Sequence, residues 1–195
     1  MSKGLIIVVS APSGAGKTTI CKKVVALNPS IVHSISYSTR KPREGEINGV
    51  DYFFVSEKSF FKSRLSREFI EWAKVHGNFY GTPKAFIENS INNGLDVILD
   101  IDVVGALKVK KKYPESVLIF ILPPNKNELE SRLRKRNTED EENIKKRLNN
   151  AEKELKYINN YNYVVKNIDL NEAVDKVKAI IKAEKSNIKR WEKVI

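Results

Sequence analysis

The segment "VSAPSGAGKTTI" at residues 9–20 sets small residues, a lysine and two threonines in an order suited to holding a polyphosphate. The apolar run Leu5 to Val9 precedes it, and a helical pattern over 17–28, stopping before Pro29, follows it. A loop so placed turns backbone N–H groups and a helix N-terminus toward one point, which makes an anion site. Gly14 and Gly16 allow close approach of phosphate oxygens because no Cβ intervenes. Lys17 supplies a compact charge for the β- and γ-phosphates, and Thr18 a hydroxyl for Mg2+. Ala11 stands where the usual G-x-x-x-x-G-K-[ST] pattern has its first glycine. A methyl group is tolerated there if the backbone needs no positive φ, which a dihedral angle can test.

Four further segments carry polar groups in chemically pointed places. "VILDID" (97–102) ends an apolar run on Asp100, suited to holding Mg2+ directly or through water, with Asp102 two residues on along the same side. In "STRKPREGEINGVDY" (38–52), Arg40 and Arg43 flank Pro42, which keeps Lys41 extended. Two guanidiniums so spaced can converge on one phosphate, and a phosphate site separate from the loop implies a second phosphorylated substrate. The other outcome for this segment is a solvated basic turn.

"EFIEWAKVHGNFYGT" (68–82) sets Glu71 among apolar and aromatic residues, and a buried carboxylate needs donors. Guanine offers two adjacent ones, N1–H and the 2-amino group, whereas adenine presents an acceptor at N1. An acid there selects guanine, because the wrong base leaves polar groups unpaired. Tyr52, Tyr80 and Thr82 can add hydroxyls. A strand-edge acid facing water and ordinary aromatic packing are the plain alternatives. "RLRKRNTEDEENIKKRL" (132–148) places Arg132, Arg136 and Arg147 on two helices around an acidic turn. That is either a hinged flap closing over transferring phosphates or a hairpin whose charges merely pair.

The elements that must position these groups are legible as four apolar runs, 4–10, 95–102, 116–122 and 161–167, typical of parallel strands covered on both faces. Helical patterns alternate with them at 17–28, 83–93, 103–112, 126–135, 141–158 and about 170–190. Thr82 is the expected N-cap of the second, with Pro83 at its first position, and "TEDE" at 138–141 reads as a capping box. Residues 34–83 break the rhythm with short aromatic pieces between turns and predict a small, mostly β insertion in an α/β core.

Composition narrows the class. The 195 residues carry 41% hydrophobic and 30% charged side chains, which suits a folded soluble protein. No apolar run approaches the roughly 18–20 residues of a membrane span. The single cysteine, Cys21, predicts a buried apolar role on the first helix, and the short N-terminal run predicts a cytoplasmic protein without an export signal. The net charge of +11 suits a lysine-rich surface or an anionic partner. Nucleic-acid binding is the weaker of these and would be strongly salt-dependent.

The order of the phosphate loop, "TRKPREGEINGVDYFFV", "EFIEWAKVHGNFYGT", "VILDID", "FILPP" and the arginine hairpin resembles guanylate kinase over nearly the whole chain. The resemblance implies a P-loop NTPase-type parallel sheet with helices on both faces, a small mainly β GMP-binding insertion at 34–83, and a helical lid at 126–147. The core is then 1–33, 84–125 and 148–195. It implies transfer of the γ-phosphoryl group of ATP to GMP, and to dGMP as well, with Mg2+, in purine metabolism and GMP recycling. Small-molecule substrates are expected, with no nucleic acid or membrane and a monomer or homodimer. By motif match, Ser36, Arg40, Arg43 and Tyr52 correspond to acceptor-phosphate contacts, with Tyr80 beside them and Glu46 orienting the arginines. Glu71 and Thr82 correspond to the guanine-reading pair, with Asp102 in the same pocket. Lys17, Arg40, Arg43, Arg132, Arg136 and Arg147 correspond to the phosphoryl-transfer residues. Ala11, Pro12, Ser13, Gly14, Ala15, Gly16, Lys17, Thr18 and Thr19 form the ATP loop, with Asn167 near the adenine; Thr18 and Asp100 would hold the metal. Related domains exist that bind partners without catalysis, and they form the alternative.

Overall fold

Strand β1 (Ile6–Ser10) is buried at every position, and its alternation sets the layers of the protein. Ile7 and Val9 enter one apolar cluster and Ile6 and Val8 another, because successive side chains of a strand point to opposite faces. The computed structural model describes residues 3–75, 77–135 and 141–191. Among these, β1 is the middle of a five-stranded sheet in the order β2 (Ile31–His33), β7 (Asp96–Asp100), β1, β8 (Val117–Leu122), β9 (Tyr163–Lys166). Every pairing in it is parallel. Helices α1 (Lys17–Ala26) and α7 (Leu170–Lys185) pack Ile20, Cys21, Val24, Val174, Val177 and Ile181 on one face. Helices α3 (Lys84–Asn92) and α4 (Val103–Lys112) pack Ile87, Ala106 and Val109 on the other. The parallel α/β core is as expected, and Cys21 is fully buried within it.

A second sheet, in the order β4 (Phe53–Phe54), β3 (Tyr37–Ser38), β6 (Asn78–Pro83), β5 (Phe69–Val75), occupies the aromatic stretch. It is mixed: β3 runs parallel to β4 and antiparallel to β6. Its underside holds Phe60, fully buried and stacked on Phe69 and Phe79 at 4.9 and 5.7 Å between centroids. Phe60 belongs to α2 (Glu57–Leu65), which the sequence does not announce as a helix because its aromatic pair resembles strand residues. The signal was the N-cap Ser56, whose Oγ accepts from the Ser59 N–H at 3.2 Å. The three-residue β2 was equally silent; it is too short for a periodic signal and, among the described strands, pairs only with β7.

Several expected boundaries move. The helix expected at 83–93 begins at Lys84 with Pro83 at the N-cap, and Thr82 belongs to β6. The Thr82 hydroxyl is taken by Glu71, so it does not cap the helix. The helix expected at 141–158 is α6 (Glu141–Leu155), followed by a 3-10 turn at Ile158–Asn160. The last helix ends at Lys185, and a 3-10 turn spans Ile188–Arg190. The "TEDE" box falls largely on residues 138–140, outside the described residues, as does Arg136.

Candidate active site

The carboxyl end of β1 passes directly into the phosphate loop. Ala11 is buried in the core and is not at positive φ, so its methyl group costs nothing where the sequence pattern would have glycine. Gly16 does need glycine: its φ is +93°, and a Cβ there would stand 2.5 Å from Asn167 Nδ2. That carboxamide is buried and donates to Ala15 O at 2.8 Å, so Asn167, at the end of β9, braces the loop backbone.

Lys17 and Thr18 open α1, and both reach Asp100 at the end of the neighbouring strand β7. Lys17 Nζ lies 3.2 Å from Oδ1, and Thr18 Oγ1 donates to Oδ2 at 2.6 Å. Burial works against the charge of Lys17, but the Asp100 carboxylate, together with smaller contributions from Tyr52 and Cys21, outweighs it, and the ammonium is held above its ordinary pKa. A hydroxyl and a carboxylate oxygen side by side at the loop are hard oxygen donors. They fit Mg2+, which binds one or two protein oxygens and takes the rest from phosphates and water. Asp102, two residues on, is instead the N-cap of α4: its Oδ1 accepts from Val104 N at 2.7 Å and Gly105 N at 3.0 Å. Asp100 is therefore the aspartate that faces Thr18.

Across the cavity, Glu46 organises the arginines. Its two oxygens take Arg40 Nη1 and Nη2, each at 2.8 Å, in a bidentate pair, and Oε2 also accepts from the Arg43 backbone N–H at 2.7 Å. Burial opposes ionisation of Glu46, yet these donors hold it below its ordinary pKa. The Arg40 guanidinium also lies 5.4 Å from the Tyr52 ring centroid, and Tyr52 meets Tyr80 at 5.9 Å.

Glu71 lies on β5 opposite Thr82 on β6. It is buried, its Oε1 accepts from Thr82 Oγ1, and its Oε2 is buried with no hydrogen-bond partner. Burial pushes its pKa up to about 7, against the Thr82 hydrogen bond and with help from Asp102. A cavity of about 220 Å³ runs from the loop past Ser36, Arg40, Arg43 and Tyr80 to Glu71 and Asp102. The dispersed motifs of the sequence thus line one space.

Helix α6 closes its other side, and α5 (Lys126–Lys135) lies beside the glycines of the loop. Arg147 Nη1 donates to Ser13 Oγ at 3.0 Å, and Arg132 pairs with Glu128 at 2.8 Å, with Nη1 near Gly16. Glu154 on α6 is a wall residue that the sequence did not single out. Burial raises its pKa to about 7, the nearby Lys17 notwithstanding. Its place in a charged helical run hid it; its position seven residues, or two turns, after Arg147 was the available signal.

A phosphate loop at the carboxyl edge of a parallel sheet, faced by an arginine site, defines the class: a P-loop phosphotransferase. The guanylate kinase family model matches residues 3–184, and the chain belongs to the guanylate kinase family. It is thus an enzyme, of the nucleoside monophosphate kinase type, rather than a noncatalytic module. A guanylate kinase of Caldanaerobacter subterraneus subsp. tengcongensis is 52% identical over 188 residues, covering 96% of this chain and 91% of that one. One from Clostridioides difficile is 45% identical, covering 100% and 95%. The crystal structure of guanylate kinase from Anaplasma phagocytophilum superposes with a TM-score of 0.79 at 36% identity, covering 94% of this chain and 87% of that one.

Proposed function

We propose that the chain transfers the γ-phosphoryl group of ATP to GMP, and to dGMP as well, giving ADP and GDP in cytoplasmic purine metabolism and GMP recycling. The observation that carries this is the half-satisfied Glu71: one oxygen is taken by Thr82, and the other is a buried, free acceptor on the wall of the cavity that holds the phosphate loop. Guanine's N1–H and 2-amino group match such an acceptor, and adenine's N1 does not.

In this reading the insertion at 34–83 binds GMP and the lid at 126–147 covers the donor. Arg40 and Arg43, pre-set by Glu46, take the GMP phosphate with Ser36, Tyr52 and Tyr80. Asp102 closes the base pocket beside Glu71 and Thr82. The loop from Ala11 through Thr19, braced by Asn167, takes the ATP phosphates. Thr18 and Asp100 would hold Mg2+, which would supply charge neutralisation to the ATP phosphates. Lys17 exchanges Asp100 for a phosphate oxygen, and Arg132, Arg136 and Arg147 stabilise charge on the transferring group. The attacking phosphate oxygen is already ionised, so no strong general base is needed, and catalysis is positioning plus electrostatics in a site closed to water. No helix among the described residues is long and apolar enough to cross a membrane.

A coupled ADP-release assay with GMP, AMP, UMP and CMP tests the proposal. Turnover with GMP alone, abolished in Lys17→Ala, is the expected result. No turnover with any acceptor overturns it.

A further inference from the structure

Gly105 is the third residue of α4, buried, with an ordinary helical backbone rather than a positive φ. Nothing in its conformation requires glycine, and glycine inside a helix costs stability relative to alanine. Its usefulness lies in the space beside it. A Cβ at Gly105 would stand 2.8 Å from Glu71 Oε2, 3.0 Å from Glu71 Cδ and 3.4 Å from Oε1. The three nearest atoms are all of one carboxyl group, the one whose Oε2 is buried without a hydrogen-bond partner and whose residue lines the cavity.

The carboxyl cannot easily step aside. Thr82 holds Oε1 from β6, and Trp72, the next residue of β5, is fixed between Arg64 and Lys108, whose cationic groups lie 4.3 and 5.2 Å from its ring. The N–H groups of Val104 and Gly105 offer Glu71 no substitute partner, since both already bond to Asp102 Oδ1. An added methyl group therefore displaces the Glu71 carboxyl from its present place in the wall of the cavity.

We propose that Gly105 is a specificity-determining residue: its missing side chain sets the depth at which the Glu71 carboxyl stands, and so the fit of a purine bearing adjacent N1–H and 2-amino donors. Gly105 acts through Glu71 and is a positioning residue. The proposal rests on Glu71 reading the base, and the test separates the two.

Steady-state constants for GMP and ATP, and the GMP-to-AMP preference, are measured for Gly105→Ala, Glu71→Asp, the double variant and Glu71→Gln. Gly105→Ala should raise KM for GMP about tenfold, the scale of one misplaced buried hydrogen bond, change KM for ATP less than about twofold, and leave thermal stability at or above that of wild type. Glu71→Asp draws the carboxyl back by one methylene and makes room, so adding Gly105→Ala to it should cost less than threefold more, a non-additive cycle. An unchanged KM for GMP in folded Gly105→Ala, an equal rise in both Michaelis constants, or additive losses in the cycle overturn the proposal. An unchanged KM for GMP in Glu71→Gln overturns the role of Glu71 itself. If Gly105→Ala does not fold in the wild-type background, the double variant decides: folded, with the GMP constant of Glu71→Asp, it supports the proposal; unfolded, it assigns Gly105 to general packing and overturns it.

Discussion

The Thr82 hydroxyl donates to Oε1 of Glu71 across the β5–β6 pair, and Oε2 of the same carboxyl is buried without a partner. One side chain therefore uses half of its acceptor capacity in holding itself still and keeps the other half open to a ligand. This division predicts how substitutions at the two positions differ.

Glu71→Gln turns an acceptor into a donor facing guanine's own donors. KM for GMP should rise at least a hundredfold while KM for ATP changes less than threefold. Thr82→Val removes only the restraint, and the expected rise is about tenfold. Varying each substrate separately at saturation of the other checks both; equal losses for the two nucleotides would refute the assignment.

The raised pKa of Glu71, about 7, predicts a pH effect with a definite sign. Guanine's donors prefer the carboxylate, so KM for GMP should fall as pH rises through about 7. Glu71→Gln keeps the titration of GMP's own phosphate and should lose only this limb of the profile. In the ligand-free protein the sign reverses. The folded state retains a proton that the unfolded state releases near 4.5, so this contribution to stability is full below 4.5 and lost as pH rises through about 7. Melting temperatures of wild type and Glu71→Gln across this range should converge at the acid end.

Glu46 touches no substrate in the proposed mechanism, yet three donors of the acceptor site converge on it. Glu46→Ala frees the half-buried Arg40, leaving it the Lys41 carbonyl for its Nη1, and removes the acceptor of the Arg43 N–H. We expect kcat/KM for GMP to fall about a hundredfold, on the scale of a lost charge-assisted pair, with KM for ATP nearly unchanged. Glu46→Gln, which keeps the size and one acceptor, should lose less. Kinetics with each substrate varied in turn would show this.

Asn167 makes the mirror-image prediction. Its carboxamide holds Ala15 O and packs where a Gly16 side chain would be. Asn167→Ala should raise KM for ATP about tenfold and spare KM for GMP. Asn167→Asp should be worse, because a carboxylate cannot donate to Ala15 O and sets a negative charge beside bound phosphates. Equilibrium binding of ATP to the two variants checks the order.

The sequence by itself determined the chemistry and the core. Continuous apolar runs in β1, β7 and β8 are typical of strands buried on both faces, and glycines between β1 and α1 followed by a lysine and a threonine that open α1 have few uses other than phosphate. Those signals are local, carried by residues adjacent in the chain. The tertiary structure decided what depends on residues far apart. Asp100 rather than Asp102 faces Thr18, since Asp102 caps α4. Thr82 serves Glu71 and not a helix, because β5 and β6 bring them opposite each other. Helix α2 forms because Phe60 finds Phe69 and Phe79 beneath the small sheet, a contact no local pattern encodes. Asn167 becomes a brace for a loop 152 positions earlier, and Gly105 proves to be space kept for a carboxyl on another strand. Hydrogen-bond partners and excluded volume are properties of the assembled chain, and they turned a set of phosphate-binding motifs into one cavity with a free acceptor on its wall.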